Sequence, residues 1–333
     1  MTSYIIRRLL LIIPTLFIVS LMAFFIIRWI PGDVIDLMVA IMQQYMSLGS
    51  TTTSLISTGD EAVAELAQTL RVQLGLDAPV YIQYFRFLGD AIQGDLGQSL
   101  WTRHSVTDDI LFRLPISLQL GLMAIIFSLI IGLPVGIISG MRPETGIDHS
   151  LRSFSILCIC VPEFWLGLMV VVYPALWWGW APPLFYVPFV DDPLGNLSQM
   201  FMPALIQGML LSGVTMRFTR TMMLEVLRQD YVRTAWAKGL TERVVILRHV
   251  LKNATIPVLT MIGLQLPVLI GGAVIVEKIF NIPGLGSMLV TALEQRDYPI
   301  VTAINLLMAG FVLVVNLLID VAYAKLDPRI QYE

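Results

Sequence analysis

The sequence has 333 residues, of which 56% are hydrophobic and only 14% charged, and its formal net charge is −3. Soluble domains carry about 25% charged residues, so this composition excludes an ordinary water-soluble protein. The small net charge, without basic runs interleaved with aromatic residues, argues against nucleic-acid binding. Cys158 and Cys160 lie in an apolar block with no nearby Cys or His to complete a metal site, so we interpret them as small buried apolar residues.

Six apolar segments are long enough to cross a bilayer, which takes about 20 residues of helix. The first follows Arg7 and Arg8, exceeds the apolar core of about 7 to 15 residues of a signal peptide, and lacks a small-residue cleavage site, so we expect it to be retained. The sequence therefore predicts an all-α integral membrane protein with helices at 9–30, 117–140, 155–178, 200–218, 255–276 and 300–323.

The distribution of basic residues indicates the orientation of these helices. The N-terminus, the 141–154 and 217–254 connections and the C-terminus together hold 14 of the 21 Lys and Arg residues. Cytoplasmic loops carry the excess of basic residues, so both termini are predicted to be cytoplasmic. The 31–116 segment then faces outward.

The outward segment is predicted to be a small extracytoplasmic insertion after the first helix. It contains the stretch SLGSTTTSLISTGD, whose Ser, Thr and Gly residues predict a mobile loop. A short helix is predicted after it, because Val63, Leu66, Leu70 and Leu74 recur at helical spacing.

The 217–254 connection is too regular for a simple tether. Tyr231 to Lys238 suits a helix that ends at Gly239, a residue that readily adopts the left-handed conformation after a helix. A second helix is predicted to begin at Thr241, a capping residue, with Glu242 in its first turn. Its last turn would contain Arg248, His249 and Lys252, and its apolar stripe would be Leu240, Val244, Leu247 and Leu251.

These features predict two short helices joined at Gly239, which form a compact knob under the membrane. A rigid knob of this kind fits a protein that is moved by an external motor. The alternative is a solvated basic loop that only sets the topology.

At this point the chain resembles a known family. The segment YVRTAWAKGLTERVVILRHVLKNATIPVLT is similar to the coupling region of the inner-membrane permeases of binding-protein-dependent ABC importers, and in particular to the B-type permease of dipeptide and oligopeptide systems. The likeness extends through YIIRRLLLIIPTL, IPGD, LGLDAPVYIQY, GDLGQS, RLPISLQL, VEKIFNIPGLGSMLVTALEQRDYP and NLLIDVAYAKLDPR. The order and spacing of these motifs are specific, although each is weak alone.

The chain also departs from the general importer signature, Glu-Ala-Ala-x-x-x-Gly, nine residues, then Ile-x-Leu-Pro. Only Ala235, Gly239 and Leu251 match it, and Trp236 stands where a smaller or charged residue is more usual. Peptide permeases commonly diverge in this way. Residues 40–70 carry no recognisable motif.

The resemblance implies a MetI-like ABC type I importer permease fold with six transmembrane helices. It divides the chain into a first transmembrane helix (1–30), an extracytoplasmic segment (31–112), a permease domain (113–323) that includes the coupling segment 219–254, and a cytoplasmic tail (324–333). The ATPase-coupling role falls on residues around the turn: Arg233, Thr234, Ala235, Trp236, Lys238, Gly239, Leu240, Thr241 and Glu242.

The chain is expected to bind no nucleotide itself, because none of its four lysines follows a glycine, as the phosphate-binding motif G-x-x-x-x-G-K-[ST] requires. The resemblance implies that two cytoplasmic ATPase subunits use ATP and Mg, that a C-type permease pairs with this chain, and that an extracytoplasmic binding protein delivers the solute. The chain itself would be a non-catalytic subunit that binds no metal or cofactor.

Polar residues inside the predicted spans are candidates for the translocation path, because ionisable groups at that depth are costly and usually face a cavity. Glu163, after Pro162, could meet the amino end of a peptide; alternatively it pairs with a partner permease or lies near a lipid interface. For Gln265 and Asn305 the alternative role, hydrogen bonding between helices, is favoured.

The outward motif around Asn281, Pro283, Gly284 and Gly286 predicts a tight turn that helps close an outer gate, with simple loop capping as the alternative.

Two other classes of protein fit the composition. An ion-coupled secondary transporter would carry paired acidic residues at mid-membrane and internal repeats, whereas Glu163 is the one acid we place there. A rhomboid-like intramembrane protease would need a histidine inside a span, whereas His104, His149 and His249 all lie outside the predicted spans. The solute is left open among dipeptides, longer peptides, nickel chelates, glutathione and oligosaccharides.

Overall fold

The computed structural model describes residues 2–29, 34–40, 67–72, 76–183, 185–271 and 273–326. These residues are almost entirely helical, with one isolated antiparallel bridge between Gln98 and Ser105. The helices up to the predicted knob are α1 (Thr2–Trp29), α2 (34–40), α3 (67–72), α4 (Val80–Ile92), α5 (Val106–Met141), α6 (Gly146–Cys160), α7 (Glu163–Trp178), α8 (Pro193–Leu227) and α9 (Asp230–Ala237). Those that follow are α10 (Glu242–Val244), a π-helical segment (Val245–Val250), α11 (Leu251–Gln265), α12 (Val268–Gly271), α13 (Val274–Ile279), α14 (Leu285–Gln295) and α15 (Tyr298–Leu326).

The chain forms two compact units. The first consists of Met1–Leu11, Arg113–Ser287 and Gly310–Glu333, and the second of Ile12–Phe112 and Met288–Ala309.

In the first unit, α5 and α8 run parallel and approach closely along a row of glycines. Gly132, Gly136 and Gly140 of α5 are spaced four residues apart and lie against Thr215, Thr219 and Met223 of α8. A Cβ atom added at Gly136 would stand 2.6 Å from Thr219 Cβ and 2.7 Å from the Met216 carbonyl oxygen. Small residues at this spacing let two membrane helices pack with their backbones close together.

Helices α6 and α11 run antiparallel to α8. Ser155 Oγ of α6 donates to the Gly213 carbonyl oxygen at 2.9 Å, and Asp148, earlier in α6, pairs with Arg220, later in α8, at 2.7 Å. Gln265 Nε2, at the end of α11, donates to Thr215 Oγ1 of α8 at 3.2 Å. Successive long helices therefore alternate in direction, as repeated crossings of a membrane require.

Among the described residues, four helical segments are apolar and long enough to cross a membrane: Val106–Met141, Pro193–Leu227, Pro257–Ile279 and Tyr298–Ile319. Helices α6 and α7 make a fifth if they count as one bent span, and the apolar stretch Leu10–Phe25 of α1 is shorter. The all-helical membrane fold predicted from the sequence is confirmed, and the count of six spans stays a prediction.

The third predicted span, 155–178, is not one straight helix. Helix α6 begins at Gly146, and α7 leaves it at an angle of 89°. The break falls at Val161, which is extended with ψ 121°, because the ring of Pro162 disfavours the helical conformation of the preceding residue and removes a hydrogen-bond donor. Both cysteines lie in the last turn of α6, before the bend: Cys158 is buried, as predicted, whereas Cys160 is exposed and its predicted burial is wrong.

The fifth predicted span, 255–276, is also interrupted. Helix α11 ends at Gln265, two residues before Pro267, and two short helices, α12 and α13, follow. The pieces still make an apolar segment of membrane-crossing length.

In the second unit, Tyr84 of α4 is buried against Phe24 of α1, with ring centroids 5.2 Å apart, and its hydroxyl lies 2.9 Å from Ser20 Oγ. The amphipathic helix predicted after the insertion loop is present as α3, over 67–72. The predicted mobile loop, Val63, Leu66 and Leu74, and the end of the C-terminal tail lie outside the described residues.

Candidate coupling segment and polar residues of the membrane core

The turn predicted at Gly239 is present. Helix α9 ends at Ala237, and Gly239 adopts a left-handed conformation with φ +79°. The Gly239 amide donates to the Trp236 carbonyl oxygen at 2.9 Å, and the Leu240 amide donates to that of Ala235 at 3.4 Å. Glycine suits this position because it carries no Cβ, which makes the left-handed region unfavourable for other residues.

The second helix of the knob differs from the prediction in two ways. Thr241 precedes α10 but makes no side-chain capping bond. The helix also does not end near Lys252, because α10, the π-helical segment and α11 follow one another with right-handed helical backbone at each junction. The residues after Gly239 are therefore the start of one continuous helical rod that enters the membrane core.

The buried face of the knob also differs from the predicted stripe. Val232 and Ala235 of α9 pack with Val245, Ile246 and Val250 of the π-helical segment. The predicted stripe is largely exposed instead: Leu240, Val244 and Leu247 are all exposed hydrophobic residues. The error arises because α9 packs against the opposite side of this helix, the side that carries Val245, Ile246 and Val250.

Beside this exposed stripe lie Tyr231 and Trp236, which are also exposed. The Arg233 side chain is 72% exposed, and its ion pair with Asp230 is long, at 3.8 Å. Thr234, Lys238, Thr241 and Glu242 are exposed as well, whereas Ala235 is buried. The predicted coupling residues therefore form a surface that is largely open to solvent.

Glu163 is the first residue of α7, immediately after the 89° bend. Its Oε1 atom is buried and has no hydrogen-bond partner among the residues that the structure describes. A buried carboxylate oxygen without a partner is energetically unfavourable.

Gln265 and Asn305 behave differently from each other. Gln265 joins α11 to α8 through Thr215, whose Oγ1 also lies 3.0 Å from Ser128 Oγ of α5. This geometry agrees with the alternative hypothesis for Gln265, in which its side chain makes a hydrogen bond between helices. Asn305 instead donates to the Val301 carbonyl oxygen of its own helix, at 2.8 Å.

The predicted outward turn at 281–286 is present and is held by a residue that the sequence did not single out, Glu277. Asn281 has a left-handed backbone with φ +52°. The buried Glu277 carboxylate accepts from Ser117 Oγ at 2.7 Å and from the Ser287 amide at 2.7 Å, and Ser117 Oγ accepts from the Leu285 amide at 2.8 Å.

The two glycines of this turn fit closely around the same carboxylate. A Cβ atom at Gly284 would overlap the Glu277 carboxylate, and one at Gly286 would stand 3.0 Å from Glu277 Oε2 and 2.7 Å from Val274 Cα. Pro283 is half-buried beside them. The sequence contains a pattern that could have identified Glu277: the acid directly follows an apolar segment and precedes two closely spaced glycines, Gly284 and Gly286, by a few residues.

Apolar helices of alternating direction, a compact exposed knob between two of them and polar side chains inside the helical core together define a multi-pass membrane permease. Comparisons with known proteins give the family. A family model described as "Binding-protein-dependent transport system inner membrane component" matches residues 132–332.

Relatives extend over the whole length of the chain. A glutathione transport system permease protein of Escherichia coli (strain K12) is 37% identical over 333 residues, which is all of both chains. A provisionally named peptide transport system permease protein of Brucella abortus (strain 2308) is 35% identical, also over all of both chains. A crystal structure of an amino acid ABC transporter matches with TM-score 0.52 and 16% identity, covering 66% of this chain and 95% of that one, and supports the fold.

The chain therefore belongs to the family of binding-protein-dependent transport system inner membrane components, the permeases of ABC importers. Importers of this class work with ATPase subunits and a solute-binding protein. Family membership rules out the ion-coupled secondary transporter that was considered as an alternative.

Proposed function

We propose that this chain forms half of the translocation pathway of a peptide importer and pairs with a C-type permease. Its full-length relatives carry names that refer to peptide and glutathione transport, and glutathione is itself a small peptide. Two separate ATPase subunits use ATP and Mg, a binding protein delivers the solute from outside, and this chain is a non-catalytic subunit that holds no cofactor. Both termini lie in the cytoplasm, by the positive-inside rule.

The observation that carries the proposal is the exposed surface of the knob. Tyr231, Trp236, Leu240, Val244 and Leu247 are exposed hydrophobic residues on one short connection. Such a patch at the end of a compact element marks a protein–protein interface. We assign the partner as an ATPase subunit, with 233–242 lying in a groove of its surface.

The interior of the knob supports a mechanical role. Val232 and Ala235 are buried against Val245 and Val250, so α9 cannot move without the π-helical segment. That segment continues into α11, which bonds α8 through Gln265. Movement of a docked ATPase would therefore reach the helices of the core and switch the permease between two packings.

The test compares vesicle uptake and ATPase activity of the reconstituted complex in variants of the knob. Gly239→Pro, Arg233→Glu and Trp236→Ser are each expected to lower solute-stimulated ATPase activity and uptake at least tenfold. Arg142→Glu, an exposed arginine on another connection, is the charge-reversal control and keeps both activities. Unchanged transport in the knob variants, with the protein inserted and assembled, contradicts the coupling role.

Within the path, we assign Glu163 to the amino end of the peptide, because its buried Oε1 has no partner among the described residues. Glu163→Gln is expected to weaken uptake of a peptide with a free amino group and to spare its N-acetylated form. Glu225→Gln, at an exposed position of α8, is the control. Equal loss for both peptides would instead indicate that Glu163 pairs with the partner permease.

Gln265 and Asn305 were candidates for the same path, but we assign Gln265 to holding α11 against α8 and Asn305 to its own helix, and we place the 281–286 turn at the outer gate. A disulfide cross-link across that gate, formed between the turn and the partner permease, should block uptake reversibly. If uptake continues while the cross-link is intact, the 281–286 turn is not part of the outer gate.

A further inference from the structure

A cavity of about 320 Å³ opens between α5, α6 and α8 in the first unit, and nothing in the transport mechanism above uses it. Its walls include Ser139 of α5, Arg152 and Ile156 of α6, and Arg217 and Arg220 of α8. Ser139 lies two residues before the end of α5, so the cavity lies near the end of a membrane-crossing helix, on the side of the 142–145 connection.

The cavity is basic. Among the described residues that line it, three are arginines and none is acidic. Arg220 is already engaged, because its Nε and Nη2 atoms donate to the two oxygens of Asp148 at 2.8 and 2.7 Å. The Asp148 oxygens also accept hydrogen bonds from Ser139 Oγ at 2.5 Å and from the Glu144 amide at 3.0 Å. The hydrogen-bonding capacity of this carboxylate is therefore already taken up.

Two positive charges therefore lack compensation. Arg152 and Arg217 are both exposed, and neither makes an ion pair within the part of the chain that the structure describes. A further acid, Glu144, is exposed on the 142–145 connection, and its charge acts on Arg220. The charge of Arg220 is balanced by Asp148, whereas those of Arg152 and Arg217 are not balanced by an ion pair within the described residues. Two such guanidinium groups suit a phosphate, which arginine binds through parallel hydrogen bonds.

The surface beside the cavity is apolar. Ile156, which lines the cavity, is 52% exposed, and Leu157 beside it is 59% exposed. Phe154 of α6 and Val214 of α8, one turn before Arg217, are also exposed. The ligand should therefore carry an anionic group and an apolar part next to each other.

We propose that this cavity binds the phosphate of an anionic phospholipid, with Arg152 and Arg217 on the phosphate and the acyl chains along Ile156 and Leu157. Basic pockets between membrane helices on the cytoplasmic side favour such headgroups. The orientation given above puts the cavity on that side. Inorganic phosphate offers the same charge and hydrogen-bond acceptors, and the exposed apolar residues favour the lipid.

The test measures bound lipid in the purified, assembled transporter by native mass spectrometry, after exchange into detergent with phosphatidylglycerol or phosphatidylcholine as the probe. The double variant Arg152→Gln/Arg217→Gln is expected to bind phosphatidylglycerol on the order of 30-fold more weakly than the unmodified protein, with binding of phosphatidylcholine unchanged. Arg142→Gln/Arg243→Gln removes two exposed arginines outside the cavity, and this charge-matched control keeps its lipid.

A second variant guards against misfolding. Arg152→Lys/Arg217→Lys keeps both charges and is expected to retain most of the bound phosphatidylglycerol. Equal lipid loss in the cavity and control variants, or in the Gln and Lys variants, would overturn the proposal.

Two further results would also overturn it. If inorganic phosphate alone displaces the lipid at millimolar concentration and protects the protein from heat equally well, the ligand is a soluble anion. If the isolated full chain holds phosphatidylglycerol but the assembled complex does not, an acidic surface of a partner subunit occupies the cavity.

Discussion

Two turns of the first unit, at Gly239 and at Gly284, both contain a glycine but need it for different reasons. At Gly239 the backbone has φ +79°, and no atom lies within 4 Å of where a Cβ would stand. At Gly284 the backbone is ordinary, but a Cβ would overlap the Glu277 carboxylate. The first position requires glycine for conformation and the second for space.

The surroundings of the two turns differ in the same way. The acids near Gly239, such as Glu242, are exposed, and the turn is held by the backbone hydrogen bonds of Gly239 and Leu240. The 281–286 turn is held by the buried Glu277, and in the second unit the buried Asp297 anchors the segment around Ser99 in a similar manner. A loop closed by its own buried acid is complete within the chain, whereas the exposed turn keeps its side chains available for the ATPase contact that we propose.

The largest expected effect comes from removing Glu277, the acid that closes the 281–286 turn. Glu277→Ala leaves Ser117 and the Ser287 amide without their acceptor in a buried site, so we expect the free energy of unfolding to fall by about 3 kcal/mol. Thermal unfolding of the purified complex measures this loss. The exposed Glu294→Ala serves as the control, with a change of about 0.5 kcal/mol or less.

An alanine at each of the two turns sharpens the comparison. Gly284→Ala is expected to destabilise the protein by about 2 kcal/mol, since the methyl group must displace the Glu277 carboxylate. Gly239→Ala should reduce stability by only about 1 kcal/mol, the strain of a left-handed alanine, while uptake falls because the docking surface is re-aimed.

Gly146→Ala is the matched control for both, because neither a positive φ nor a neighbouring atom restricts that position. If Gly239→Ala proved the more destabilising of the two turn variants, the proposed difference between an open and a closed turn would be wrong.

The smallest expected effect concerns pH and Asp297. Burial raises the pKa of the Asp297 carboxyl above its ordinary value of 3.8, although hydrogen bonds from Ser99 and the Leu100 amide oppose the rise. The folded protein therefore holds this proton more tightly than the unfolded chain does. Its contribution to stability is complete below pH 3.8 and is lost as the pH rises through the folded pKa.

Asp297→Asn cannot titrate, so its stability should fall less than that of the unmodified protein as the pH is raised from 4 to 8. Melting temperatures at several pH values give the two slopes, with the exposed Asp108→Asn as the reference. Parallel slopes for all three proteins would show that Asp297 is not held protonated by burial.

The sequence determined the class of this protein and the position of the turn at Gly239. Long apolar segments need a bilayer, and Gly239 after a helical segment indicates a left-handed turn; both are local properties that composition and spacing carry. The break at Pro162 was not predicted, since 155–178 was taken as one span, and the structure shows both the break and its angle of 89°.

Tertiary structure alone decided which residues face inward. The stripe Leu240, Val244 and Leu247 has helical spacing, yet α9 packs on the other side of the helix and buries Val245, Ile246 and Val250 instead. The partnership of Glu277 with Ser117 joins residues 160 positions apart, and the Asp148–Arg220 pair joins residues 72 apart. Such pairings depend on how helices pack side by side, which the order of residues along one helix does not specify.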